Sequence, residues 1–577
     1  MRNIIYFLCA VVVFFLFIVH LGTVYAKEAL PNNKFGIHLA QPHLNDIQSS
    51  ASLLNKNGGD WGYVTLVMQE NDRNREKWQE IFDLMRELHL IPIIRIATVP
   101  QGAKWKRPEL SDIEPWVDFL NSLNWVIKKR YIVLYNEPNH AVEWGGVIDV
   151  PHYASVTMSF AKALKEKNDD YFVMLSGFDA SAPNSLPDFM GEEAFLQAFF
   201  LHVSPDNFNK LFSGWASHSY PNPGFSGSPY ATGRGSIQTY QWELVLLRNL
   251  GVSDLPVFIT ETGWVRQVQN SNFKTQNTYE DFIANNYQSA FEQIWLPDSR
   301  VQAVTPFVLD YQGDPFLGFS WKLLGLEEYY PQYEVVASLQ KVKGEPEQIE
   351  GGQILYDFPK ELVAFSTYHF KLNLKNSGQG FWDRSGGYEM VLDSNPGLTH
   401  VFTEISKIKP SQEEQIHLFL KTGSPSQPKK TTPLLSKNGN TILSGKLWEF
   451  TVLPLPYIDF KVQLFPKIKT KGDDFEVQIF DGDEQLVIKK KGIRFDKMGK
   501  IPDIQNIAIG RKYRVVLLKP YYLPRQTYVI FRTGQNNIMF KRMLPLDFNK
   551  DGTFSLGDIS YLVQHFSLLD LLFPTGF

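Results

Sequence analysis

Tyr131-Ile132-Val133-Leu134-Tyr135-Asn136-Glu137-Pro138-Asn139 is the stretch on which the reading of the chain turns. Its apolar, β-branched run has the character of a buried strand. Pro138 has no N–H to offer a ladder and ends the pairing. Asn136 and Glu137 therefore fall where a buried strand meets solvent. Val257-Phe258-Ile259-Thr260-Glu261-Thr262-Gly263-Trp264 repeats the shape and also ends in a carboxylate. Two glutamates at the carboxyl ends of two parallel strands can face one cavity, which is the paired-carboxylate arrangement that glycoside hydrolysis requires.

Around these two stretches the sequence alternates strand and helix. Strand patterns occur at 35–40, 61–68, 90–98, 131–136, 171–177, 212–220, 257–261 and 301–311. Helical patterns lie between them. At 76–89 Trp78, Ile81, Phe82, Met85 and Leu88 share one face, and at 152–167 Tyr153, Val156, Phe160, Ala163 and Leu164 do the same. Further helices are expected at 236–250, with Gly251 as C-cap, and at 278–295. Eight strands joined by helical crossovers predict a (β/α)8 barrel over 27–340. A doubly wound sheet is the alternative, but it does not bring a fourth and a seventh strand face to face.

The chain of 577 residues is too long for one core. Residues 341–350 are charged, contain Pro346 and read as a linker. Alternating strand patterns with Gly, Pro and Ser turns then predict two β-sandwich modules, immunoglobulin-like in class, at 351–455 and 456–543. They read as spacers, with carbohydrate-binding modules as the alternative. At the other end Arg2 precedes a continuous apolar run at 4–19, and Val24-Tyr25-Ala26 offers small residues for cleavage. Residues 1–26 are thus a signal peptide or, uncleaved, a signal anchor, and the bulk of the chain is expected to be secreted or on the cell surface. Cys9 is the single cysteine, so neither disulfides nor thiolate metal sites belong to the mature protein. A net charge of -4 gives no sign of nucleic-acid binding, whereas 13 Trp, 25 Tyr and 43 Phe suit both β-rich cores and stacking on sugar faces.

Within 545–577, Asp547, Asn549, Asp551, Ser555 and Asp558 fall at positions 1, 3, 5, 9 and 12 of a loop with Gly552 at position 6. This is the spacing of an EF-hand calcium loop, in which Thr553 at position 7 contributes its backbone carbonyl. A helix with Ile559, Leu562, Val563 and Phe566 on one face is expected to follow.

The region from 34 to about 325 resembles the clan A glycoside hydrolases, the retaining (β/α)8 enzymes that include families 5 and 39. In that clan an Asn-Glu pair ends strand four and its Glu is the acid/base, while a Glu ending strand seven is the nucleophile. Asn136-Glu137 and Glu261 stand at those places. The resemblance implies a β-linked oligo- or polysaccharide substrate, double displacement by the two glutamates, and no cofactor in catalysis. Asn136 is then expected to meet the sugar 2-hydroxyl. Arg95, a cation in the apolar run Ile93-Ile94-Arg95-Ile96, needs an anion, and Glu261 is the one expected. Ser217-His218-Ser219-Tyr220 matches a His-x-Tyr pair that clan members carry after strand six, with Tyr220 on the nucleophile and His218 lining the sugar site. Trp321 is expected as an aromatic floor, with His38 and Trp264 as further helpers. A transglycosylase on the same scaffold and a non-catalytic carbohydrate-binding or adhesion protein are the competing readings. The terminal loop and helix resemble half of a dockerin, which implies Ca²⁺ and a cohesin-like protein partner. Dockerins carry two such repeats and this chain carries one.

Overall fold

The computed structural model describes residues 33–266, 276–394, 397–468, 474–495 and 498–568. The export segment at 1–26 lies outside them, as does the end of the chain from 569. The chain divides between Ile349 and Glu350 into two compact units.

In the first unit, eight strands form one parallel sheet in sequential order. They are β1 (Gly36–Leu39), β2 (Gly62–Gln69), β3 (Leu90–Ala97), β4 (Arg130–Leu134), β5 (Tyr171–Leu175), β6 (Gly214–His218), β7 (Val257–Glu261) and β8 (Val301–Val304). The last strand returns to the first: Phe35 bridges Val304, Val304 N–H donates to the Lys34 carbonyl at 2.9 Å, and His38 N–H donates to the Pro306 carbonyl at 3.0 Å. The sheet is therefore a closed barrel. Gly36 permits that closure, because a Cβ there would sit 2.5 Å from the Thr305 methyl and 2.9 Å from the Val304 carbonyl oxygen.

What fills the barrel decides which end is free for chemistry. Tyr63, Tyr131, Phe172 and Phe258, each near the start of its strand, meet with ring centroids 5.0–6.1 Å apart. This aromatic layer plugs the amino-terminal end. Above it the lining turns polar. The buried Thr65 and Thr305 hydroxyls bond at 2.9 Å, and beyond them lie His38, Arg95, Glu137, His218 and Glu261. Catalytic residues of such barrels sit at this carboxyl-terminal rim.

The crossover helices follow the sequence patterns. The helix Arg75–Glu87 buries Trp78, Ile81, Phe82 and Met85, and Asn74 caps it by accepting from Lys77 N–H. The helix Thr239–Asn249 stops before Gly251, whose φ of +88° suits glycine. The stretch 341–350 is no free linker. Its composition suggests solvent, but Lys341 is buried and its ammonium donates to the carbonyls of Val336, Ala337 and Leu339, capping the helix Pro331–Ser338. Lys128 pairs with Glu347 at 2.6 Å, so the segment belongs to the barrel unit.

The second unit holds two β cores, mostly antiparallel, with one parallel pair in each (361–363 with 451–453, and 457–461 with 535–539). Leu372, Leu374, Ile416, Leu418 and Trp448 lie in the first, and Phe460, Val477, Ile479, Val515 and Leu517 in the second. The alternation expected within 351–455 is seen in the strand Thr367–Asn376, whose even-numbered residues turn inward and whose odd-numbered ones face solvent. The two cores meet directly, since the Tyr368 hydroxyl donates to the Ile507 carbonyl at 2.7 Å. The terminal loop leads into the helix Leu556–Gln564 through a capping box of Ser555 and Asp558.

Candidate active site

Glu137 and Glu261 arrive at the rim from β4 and β7. Glu137 follows Tyr135 and Asn136 in a tight turn, with φ of +70° at Tyr135 and +26° at Glu137. Non-glycine residues rarely adopt such values, and they persist only where surroundings impose them. Here Glu137 N–H donates to the Gly177 carbonyl at 3.1 Å, and buried Asn139 donates to the carbonyls of Asp179 and Met190. The turn is thereby tied to the loop after β5.

His218 links the two acids. The β6–β7 register shifts between Ser217 and His218, which sets His218 opposite Glu261. Such bulges re-aim a side chain at the end of a pairing. His218 Nδ1 lies 2.8 Å from Glu137 Oε1 and 3.8 Å from Glu261 Oε2. One ligand atom each from Glu137, His218 and Glu261 all fall within 4.8 Å of one another. Gly177 makes room for the imidazole, because a Cβ there would sit 2.1 Å from His218 Cδ2.

The charges are sorted by environment. Burial pushes the Glu261 carboxyl up, yet cationic His218, Arg95 and the Tyr220 hydroxyl hold it below the usual range. Tyr220 donates to Glu261 Oε2 at 3.0 Å. Burial, and then the Glu261 carboxylate, push the Tyr220 phenol well above its ordinary value, so it remains a donor. Burial pulls His218 down, but the two glutamates outweigh it and raise the imidazole. His38 has the opposite outcome. Burial takes it to about 3, and its neutral ring faces Glu261 Oε1 at 3.7 Å.

Of the other expected helpers, Arg95 does not bond Glu261. Its Nε is buried without a hydrogen-bond partner, and its charge acts at range on both Glu261 and Glu143. Trp321 and Trp264 do not line the rim. Both pack edge-on against Tyr287 in the core, and Trp264 donates to the Gly227 carbonyl at 2.8 Å. Besides Tyr220, an aromatic residue that borders the site is Phe307, 5.0 Å from His38 ring to ring. It lies three residues beyond the end of β8. The strand-end reasoning that locates Glu137 would have found it, had β8 not been extended to 311.

Two further acid sites carry no signal in sequence periodicity. Glu143, on the short turn Ala141–Trp144, shares a cleft with Arg95, Asn136 and Trp105. Burial, and next the Glu137 carboxylate, push its carboxyl up to about 7. Behind β6, Glu192 and Glu243 are fully buried on the helices Glu192–Phe199 and Thr239–Asn249. None of their four oxygens has a hydrogen-bond donor in reach, and the Ser217 hydroxyl and Trp215 indole stand beyond that distance on the Glu243 side. The two carboxyls therefore share protons.

No protein-family model matches the sequence, and no curated protein does. Solved structures resembling the fold include a β-xylosidase from Caulobacter crescentus, with 12% identity, TM-score 0.39, and 85% of this chain and 97% of that chain covered. An endo-β-1,4-glucanase from Xanthomonas axonopodis pv. citri has 11% identity and TM-score 0.37, covering 53% and 98%. A β-mannanase from Thermomonospora fusca has 11% identity and TM-score 0.30, covering 49% and 80%. The barrel itself stands on its own strand pairing.

Proposed function

We propose that the chain is a retaining β-glycoside hydrolase. The observation that carries this is the approach of the Glu137 and Glu261 carboxylate oxygens to within 4.8 Å across the barrel mouth. Retaining enzymes hold their two carboxyls about 5–5.5 Å apart, whereas inverting enzymes leave a wider gap for water. Glu261, held ionised, attacks the anomeric carbon, and Glu137 protonates the departing oxygen. Glu137 then takes a proton from the water that releases the glycosyl group. His218 bonded to Glu137, and Tyr220 bonded to Glu261, keep the two carboxylates in their separate roles. Phe307 supplies an apolar face at the same mouth.

The test is a panel of 4-nitrophenyl β-glycosides and soluble β-glucans, xylans and mannans, followed by trapping with a 2-fluoro sugar. A glycosyl adduct on a Glu261-containing peptide, absent in Glu261→Ala, is the expected result. Inversion of the anomeric centre, or labelling elsewhere, refutes the assignment. Export belongs to the same reading, on the strength of the apolar run at 4–19. N-terminal sequencing of native protein should begin near Lys27, and recovery of Met1 on membrane-bound protein would mean an anchor.

We also infer a calcium site in the terminal loop. Carboxylate oxygens of Asp547, Asp551 and Asp558 lie within 4.8 Å of one another. Asp547 Oδ1 is buried with no partner, as a ligand atom held for a cation would be. Asn549, Ser555 and the Thr553 carbonyl complete the oxygen set that Ca²⁺ favours. Calorimetric titration of the full chain with Ca²⁺ should show one site, lost in Asp547→Ala/Asp551→Ala. Equal heats in both proteins would remove the assignment.

A further inference from the structure

Glu143 is a third carboxyl beside the reacting pair, six residues after Glu137. Its position is set by the fold. The next residue, Trp144, is buried and packs edge-on against Tyr135 at 5.3 Å and against Tyr153 at 5.0 Å. Glu143 N–H donates to the His140 carbonyl at 3.1 Å, and Gly145 N–H donates to the Trp105 carbonyl at 3.1 Å. The turn that carries Glu143 is thus fastened to the core on one side and to the loop after β3 on the other.

Its carboxyl lines the same cleft as the Asn136 carboxamide, whose amide favours the charged form. Asn136 in turn lines the cleft with Arg95 and Glu143, and its Oδ1 is buried with no hydrogen-bond partner. A buried acceptor without a donor is costly to leave unpaired. At the mouth of a sugar site the donor that relieves it is a sugar hydroxyl. The amide thus has Glu143 as its neighbour in the cleft and one acceptor left to offer.

We propose that Glu143 is a positioning residue for glycoside cleavage, holding the Asn136 carboxamide so that Oδ1 receives the hydroxyl at C2 of the sugar. This rests on the hydrolase reading of Glu137 and Glu261 and adds a residue that acts through another rather than on the substrate. Hydrogen bonds at C2 strengthen as the oxocarbenium-like transition state forms. Loosening Asn136 therefore lowers kcat as well as kcat/KM, and only for substrates that carry the C2 hydroxyl.

The experiment compares the 4-nitrophenyl β-glycoside that the wild-type chain turns over fastest with its 2-deoxy counterpart. Glu143→Ala is expected to lose about tenfold or more in kcat/KM on the parent substrate. On the 2-deoxy substrate it should stay within about twofold of wild type. Asn136→Ala should show the same pattern, and the double variant should add no further loss. Glu143→Gln, which still accepts from the amide, should recover most of the activity. Glu143→Asp, which withdraws the acceptor by one methylene, should not, and it serves equally if Glu143→Ala does not fold. Equal losses on both substrates, additive losses in the double variant, or no loss at all would overturn the proposal. A wild-type chain that cleaves neither substrate would instead overturn the hydrolase reading on which it rests.

Discussion

Replacing Glu192 by Gln should make the barrel more stable at alkaline pH. Glu192 and Glu243 are both fully buried, and none of their four oxygens has a hydrogen-bond partner. The Glu243 carboxyl is pushed up to about 7 by burial, and it has Ser217 and Trp215 on its side to favour the charged form. Glu192 is pushed well above the usual range by burial and then by Glu243, with Asp179 adding to the effect and Arg234 only partly offsetting it. Above neutral pH, then, Glu243 carries the charge and Glu192 keeps its proton.

The sign follows from where protons are bound. An unfolded chain ionises both groups near pH 4.5, so above that value the folded state holds protons that the unfolded state has released. Stability is highest below the unfolded pKa and falls as pH rises, by about 1.4 kcal/mol per pH unit for each proton retained. Burial and the neighbouring carboxyl keep the proton on Glu192 in the folded state, so its retention weighs against wild type increasingly as pH rises. The glutamine of the variant has no proton to hold, and its amide presents an N–H on the Glu243 side in place of the acid's O–H. The difference in unfolding free energy between Glu192→Gln and wild type should therefore grow with pH, at a slope of up to about 1.4 kcal/mol per pH unit while the proton is retained. Urea unfolding followed by tryptophan fluorescence reads it. Of the 13 tryptophans only Trp382 and Trp448 lie in the second unit, so the signal reports on the barrel. Parallel pH curves for the two proteins, or a variant that falls away faster at alkaline pH, would refute the shared-proton argument.

Tyr220→Phe removes the 3.0 Å bond to Glu261 and one cause of that carboxyl's lowered pKa. The acid limb of kcat/KM should move to higher pH, and the rate at the optimum should fall by an amount equivalent to about 1.5–3 kcal/mol. An unmoved acid limb would mean that Tyr220 does not act on the nucleophile. Gly177→Ala places a methyl 2.1 Å from the His218 ring, which must shift away from Glu137. Activity should drop by an order of magnitude or more, with a displaced His218 in the imidazole NMR spectrum. Full activity in that variant would show that the His218–Glu137 contact is dispensable.

Strand-four and strand-seven ordinals, the eight-strand count and the ends of most helices are legible in the sequence, because periodicity and chain punctuation act locally. So is the placing of Glu137 and Glu261 at strand ends, since a carboxylate after a buried run has one place to go. What the strands face is a different matter. Trp321 and Phe307 are fourteen residues apart and both aromatic, and only the turn after β8 decides that Phe307 borders the site while Trp321 enters the core. Arg95 illustrates the same limit: an arginine in an apolar run demands an anion, but which anion depends on distances across the barrel. The stretch 341–350 looks solvated by composition and is pinned by Lys341 to the end of a helix. The acids Glu143, Glu192 and Glu243 occupy ordinary helical or turn positions. Their character comes from burial, of Glu143 beside Glu137 and of Glu192 beside Glu243, and the second pair, about fifty positions apart in the chain, exists only once the barrel has closed.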